Sequence, residues 1–240
     1  LGGLFQVNHP SDGDWLETFG DGSHPDPIVP DTVEVWNIGP WHWQPPMPSA
    51  NDNDFSLRFW ESYLNAGYRV AATGGSDNHW RSTTAVQGVG QPTTWVFVTK
   101  PGVEGVVEGI RAGRTTIAHL PASLGGPQLF LEADANGDGA YESMVGDAVA
   151  PGTALRVRTA NLVPGSIYRI VTDDGFVEMA AGDSVTLTMP AGARWIRAEL
   201  RHPDAQDERS ASCDPLIGSD STYCRNRLIV EALTSPIYAQ

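Results

Sequence analysis

Residues 68–80 read YRVAATGGSDNHW. An apolar run enters two glycines, and an Asp and a His follow two apart. On a strand, residues two apart face the same side. Asp77 and His79 would then present a carboxylate and an imidazole together, as metal ligands or as an oriented general base. The competing reading is a polar loop in which Asp77 caps a turn. The flanking segments carry the decision.

Ahead of this stretch, NDFSLRFWESYLNAG (53–67) predicts a helix. Asp54 is placed as N-cap, Leu57, Trp60 and Leu64 recur at helical spacing, and Gly67 is the stop. Further upstream, GLFQV (3–7) and TVEVWN (32–37) predict strands, the second with Val33 and Val35 alternating with Glu34 and Trp36. Downstream, TTWVFVT (93–99) predicts a strand, GVEGVVEGIRAG (102–113) a helix and RTTIA (114–118) a strand. This alternation over residues 1–118 predicts an α/β fold with a mostly parallel sheet. In such folds the chemistry gathers at the carboxyl ends of strands. Asn8, His9, Asn37, Asp77 and His79 all fall there.

The pattern changes across PASLGGP (121–127). Helical periodicity disappears, and short runs such as QLFLEA, ALRVRTA, SIYRIVTD, SVTLTM, RWIRAEL and NRLIVEAL follow between turn residues. That spacing predicts a small all-β sandwich. The expected organisation is an α/β domain over 1–123 and a β-sandwich domain over 124–240.

The 240 residues carry 15 basic and 29 acidic side chains, a net charge of −14. No basic arm exists to track phosphates, which argues against a nucleic-acid partner. No apolar run reaches membrane-spanning length, so no membrane partner is expected. Cys213 and Cys224 stand in SCDPLIGSDSTYC. They read either as a local disulfide, suited to an oxidising compartment, or as two free thiols. With the acidity and a calcium-like loop described below, they point to an extracellular or periplasmic setting. The opening LGGLFQVNHP reads as a strand already under way, which suggests further sequence upstream or on another chain.

His9 joined to Asp77 and His79 would make a catalytic metal set. Three such ligands can hold a divalent transition metal, with Zn, Mn and Fe all suited to His plus carboxylate. They leave a position for a water, which becomes a hydroxide nucleophile near neutral pH. Around them, Asn8 and Asn37 could orient water or substrate, and Arg81 could bind an anionic group. His42, within WHW (41–43), and Trp80 could wall a substrate pocket. Glu34 could support a ligand, or simply occupy the outward face of its strand. Arg114 reads as the partner of a carboxylate.

The motifs GGLFQVNHP, VEVWN, LNAGYRVAATGGSDNHW, TTWVFV and GIRAGRTTI, taken in that order, resemble the C-terminal half of a PHP-superfamily (polymerase and histidinol phosphatase) metallohydrolase. The branch is the one that resembles carbaryl hydrolase, and its trailing sandwich and closing TSPIYA also fit. The resemblance runs from residue 1 to about 120. It implies the C-terminal part of a distorted (β/α)7 barrel, with a cluster of up to three divalent metals. It also implies hydrolysis of phosphoesters, or of other esters and carbamates, by metal-activated water. His9 would match the family's late His, and Asp77 and His79 its final Asp-x-His. The family's opening His-x-His has no counterpart, because no two of the six histidines (9, 24, 42, 79, 119, 202) stand two apart. The expected partners are therefore a small-molecule substrate and a second chain supplying the missing barrel half.

A second constellation is DANGDGAYE (134–142). Asp134, Asn136 and Asp138 alternate before Gly139, as at the start of a calcium loop. Val145 stands where an EF-hand needs its closing Glu, so a hairpin loop closed by Glu142 or Asp147 is the form expected. The competing reading is an ordinary Asx-rich turn. This loop supports an alternative function: a non-catalytic, calcium-stabilised extracellular binding module.

Overall fold

The computed structural model describes residues 2–11, 15, 20–37, 52–78, 89–203 and 228–240. Three short strands come first: β1 (Gln6–Val7), β2 (Thr32–Asn37) and β3 (Ala71–Gly75). They pair in the order β1-β2-β3, all parallel, with Val7 beside Val33 and Asn37 beside Gly75. Helix α1 (Asp52–Asn65) joins β2 to β3 and buries Phe59, Trp60, Tyr63 and Leu64. Those four fall on one side at helical spacing. The Trp60 indole N–H also donates to the Val70 carbonyl at 2.8 Å, tying the helix to the entry of β3. Gly67, at φ +89°, ends the helix as the sequence predicts. Asp54 is not the cap, because the helix already starts at Asp52.

The remaining elements are β4 (Thr93–Val96), α2 (Val103–Arg111), β5 (Thr115–Ala118), β6 (Gln128–Asp134), β7 (Ser143–Met144), β8 (Ala148–Val149), β9 (Ala154–Ala160), β10 (Ile167–Thr172), β11 (Gly175–Ala180), β12 (Ser184–Thr188), β13 (Trp195–Pro203), β14 (Leu228–Thr234) and β15 (Ile237–Ala239). They build two further sheets. The larger has eight strands, running β11-β10-β13-β14-β5-β4, with β15 paired to β13 and β8. The smaller runs β12-β9-β6-β7 and is antiparallel throughout.

This architecture overturns the expected α/β class and the (β/α)7 barrel. Among the described residues, strand outweighs helix by 40% to 14% and no sheet closes on itself. The parallel run stops at β3, and β4 and β5 pair antiparallel with each other. The helix between them misled the reading. A βαβ crossover needs a helix that carries the chain back across the sheet. Helix α2 instead turns Gly105 and Gly109 onto the backbone just after β4. A Cβ at these positions would lie 1.9 Å from the Lys100 carbonyl oxygen and 2.6 Å from that of Phe97. The chain therefore returns beside β4 in the opposite sense.

The outer edge of β3 is closed by hydroxyls in place of a strand. Ser235 Oγ accepts from the Ala72 amide at 3.0 Å, and Thr115 Oγ1 donates to the Ala72 carbonyl at 2.7 Å. Thr94 Oγ1 accepts from the Gly74 amide at 2.8 Å and donates to the Gly74 carbonyl at 2.9 Å. Peptide groups that a fourth parallel strand would satisfy are thus paired through side chains of β4, β5 and the turn after β14.

Two cores result. One lies between the large sheet and the four-stranded sheet: Leu129, Leu131, Leu155 and Val157 face Tyr168, Ile170, Ile196, Ala198 and Leu200. β6 and β9 bury every second residue, as the alternation predicts for a β-sandwich. The other core joins β1–β3 and α1 to the opposite face of the large sheet, through Trp195, Val230, Leu233 and Tyr238. The boundary expected at 124 falls between β5 and β6, and the large sheet draws strands from both sides of it. Among the described residues, no helix is long and apolar enough to cross a membrane.

Candidate functional site

The parallel register places the carboxyl ends of β1, β2 and β3 at one end of their sheet. Asn8 and His9 follow β1, Asn37 closes β2, and Asp77 stands two residues beyond β3. Asn8 and Asp77 are exposed and His9 is half-buried. His79, Trp80, Arg81 and His42 lie outside the described residues, as do Cys213 and Cys224.

Three described non-glycine residues have positive φ, and two of them are His9 (+29°) and Asp77 (+45°). The third is Asn161 at +59°. Left-handed backbone at a residue with a Cβ costs free energy and persists where surroundings hold it. His9 and Asp77 therefore both have constrained backbone just beyond the ends of β1 and β3.

Glu34 lies at the centre of this end. Its carboxylate Oε2 accepts from the His9 backbone amide at 3.0 Å and from Asn37 Nδ2 at 3.2 Å. Oε1 faces Gly75, where a Cβ would stand only 2.3 Å away. One carboxylate thus touches the turn after β1, the end of β2 and the end of β3. Among the described residues it makes no ion pair with Lys or Arg. The alternative of an outward-facing Glu34 is overturned, since Glu34 is 6% exposed. Val33, Val35 and Trp36 around it are fully buried as well. Parallel strands bury both faces, so alternation in β2 does not separate inside from outside. Asn37 is held from a second direction, its amide donating to Asn53 Oδ1 of α1 at 2.8 Å.

The chemistry of these donors suits a divalent transition ion. His9 and Asp77 stand beyond the ends of β1 and β3, which flank β2 with its Glu34 and Asn37. The fit is one of residue types and placement. Among the described residues, the one group that brings three such donors within 4.8 Å of one another is elsewhere, at Asp134, Asp138 and Glu142.

That group is the 134–142 loop, at the tip of the hairpin joining β6 to β7. Asp134 organises it: Oδ1 accepts from the Gly137 and Asp138 amides at 2.8 and 3.1 Å, and Oδ2 from the Gly139 amide at 2.9 Å. Asn136 Oδ1 also accepts from the Asp138 amide at 2.9 Å, while its Nδ2 donates to Asp138 Oδ2 at 3.1 Å. Glu142 Oε1 reaches back to the Ala135 amide at 3.1 Å and closes the loop. Asp147, the other closing candidate, is committed elsewhere. It accepts from Arg114 Nη2 at 3.1 Å and from the Met144 amide at 3.0 Å. That contact gives Arg114 the carboxylate partner read for it.

No protein-family model matches the chain, and searches of curated proteins and of solved structures returned no similar protein.

Proposed function

We propose that the carboxyl ends of β1–β3 form part of a divalent-metal centre of a hydrolase, with His9, Asp77 and His79 as ligands. The observation that carries this reading is the positive φ shared by His9 and Asp77 around the buried Glu34 carboxylate. The motif resemblance to PHP-superfamily metallohydrolases supports it from the sequence side, independently of the barrel. A bound ion would supply Lewis acidity and a lowered water pKa, suited to cleaving phosphoesters or other esters and carbamates. The chain's own residues would do the positioning. Glu34 fixes the His9 turn by accepting its amide hydrogen, and it orients Asn37. Asn37 and Asn8 stand at the same strand ends, where their amides can hold a substrate oxygen.

The test is elemental analysis of protein purified without chelator, followed by hydrolysis of p-nitrophenyl phosphate and p-nitrophenyl acetate. About one equivalent of transition metal, lost together with hydrolysis in a folded Asp77→Ala, is the expected outcome. An Asp77→Ala variant that keeps both metal and activity removes the reading.

A second reading concerns the hairpin loop, where the convergence of Asp134, Asp138 and Glu142 favours a calcium-stabilised module. Hard cations take such oxygen clusters, and three neighbouring carboxylates repel one another without one. Adding Ca²⁺ after EGTA treatment should raise the melting temperature of the wild type and leave Asp138→Ala unmoved. Equal melting with Ca²⁺ and with EGTA would reduce the loop to an Asx turn.

A further inference from the structure

A cleft of about 300 Å³ opens between α1 and the large sheet. Its floor is the face of β13 that turns away from the sandwich core. Arg197, Glu199 and Arg201 follow there at alternate positions, and Arg169 of β10 stands opposite Glu199. None of the four is more than 6% exposed.

Donor accounting shows how these guanidinium groups are used. Arg197 engages all three of its nitrogens: Nε and Nη2 donate to Glu61 Oε1 of α1 at 3.1 and 2.6 Å, and Nη1 donates to Glu199 Oε1 at 2.5 Å. Arg201 commits only Nε, to Glu199 Oε2 at 2.6 Å. Arg169 commits Nε and Nη2 to Glu178 Oε1. Among the described residues nothing accepts from Nη1 or Nη2 of Arg201, or from Nη1 of Arg169. A staple holding α1 to the sheet accounts for Arg197, Glu61 and Glu199. It leaves the Arg201 fork with no acceptor among the described residues, open to the cleft that Arg201 lines.

The spare capacity on the cleft floor is cationic and consists of donors. Both Glu199 oxygens already accept guanidinium N–H groups, and the charges of Arg197, Arg201 and Arg169 around it disfavour a further cation. Burial and the neighbouring Arg201 charge hold the Arg169 guanidinium below its ordinary pKa, a strain that an anion between the two would relieve. Asp54 and Glu61 line the α1 side and keep an anion against the sheet. Arg58, also lining the cleft, is exposed and makes no ion pair among the described residues.

We propose that this cleft binds the oxyanion group of a small molecule, a phosphate or a carboxylate, gripped by the Nη fork of Arg201 and by Nη1 of Arg169. The planar fork matches two oxygens of such a group. The site shares no residue with the strand-end centre and stands whether or not that centre holds metal.

Titration calorimetry with inorganic phosphate, and separately with succinate, tests it. One saturable site per chain is expected for at least one of them, and the anion that binds identifies the class. Arg201→Lys keeps a charge beside Glu199 but loses the fork, and should weaken binding about tenfold or more. Lys100→Ala, at a remote surface position, should bind as wild type does. If Arg201→Lys does not fold, side-chain NMR of wild-type arginine on adding the anion replaces it, with shifts expected at Arg169 and Arg201. No saturable binding of either anion overturns the proposal. Undiminished binding by folded Arg201→Lys, or unmoved Arg169 and Arg201 resonances, does the same.

Discussion

Glu34 shows how one side chain can organise three strand ends. Its two accepted hydrogen bonds come from different elements, and its second oxygen presses on Gly75. Gly75 therefore has a steric duty. Any Cβ there displaces the carboxylate, which loosens the His9 turn and Asn37 together. Gly75→Ala should cost about 1–3 kcal/mol in a urea titration, typical of forced repacking. On the proposed metal-centre reading, it should also reduce metal uptake more than that loss of stability alone would. This dependence was hidden in the sequence, where Gly74-Gly75 read only as a lead into Asp77. The placement of His9 and Asp77 just beyond strand ends was legible, because polar residues closing an apolar run are conspicuous. Glu34 was obscured by its place in an alternating run.

Strands with at least one face turned from solvent were the readable ones. β2 and β9 match their expected ranges, and β6, β10, β12, β13 and β14 differ only at their ends. β11 went unseen because it is an edge strand with five of six residues exposed, so no burial rhythm marks it. β7, β8 and β15 are too short to leave a pattern. Strand direction was the costly error. A strand–helix–strand order encodes a crossover only if the helix spans the sheet, and α2 does not. The same region holds the hydroxyl seam. Thr115 Oγ1 donates to Ala72 and meets Ser235 Oγ at 2.7 Å, with Thr115 and Ser235 fully buried. Thr115→Val keeps the shape and removes the hydroxyl, leaving the Ala72 carbonyl unpaired. A loss of about 1–3 kcal/mol in chemical denaturation is expected, larger than for Thr186→Val on the outer strand β12.

Across the whole molecule, the centre of the large sheet is buried on both faces, and this governs its electrostatics. Arg169, Arg197, Glu199 and Arg201 occupy positions that alternation assigns to solvent, yet α1 covers them. Sequence reading could not see this, because the covering layer comes from a distant segment. Burial pushes the Glu199 carboxyl up, but Arg201 and Arg197 outweigh it and hold the pKa at about 2, below the ordinary 4.5. A depressed carboxylate contributes stability that is complete above its unfolded value and is lost as pH falls through its folded one. Glu132, between Arg156 and Arg158, and Asp173, beside Arg194, shift in the same direction. The urea midpoint should therefore hold from neutrality down to about pH 5 and fall steeply between about pH 4 and pH 2. Glu199→Gln should flatten that decline, and a decline of unchanged slope would assign the acid sensitivity to other groups.

The short strand β15 sets two neighbouring residues into opposite layers, Ile237 into the sandwich core and Tyr238 into the core under α1. It pairs with β13 and with β8, strands that leave the ribosome long before it. During synthesis, both cores must wait with apolar walls open until this one tripeptide emerges. Closing either core therefore waits on the same three residues, which couples the two layers.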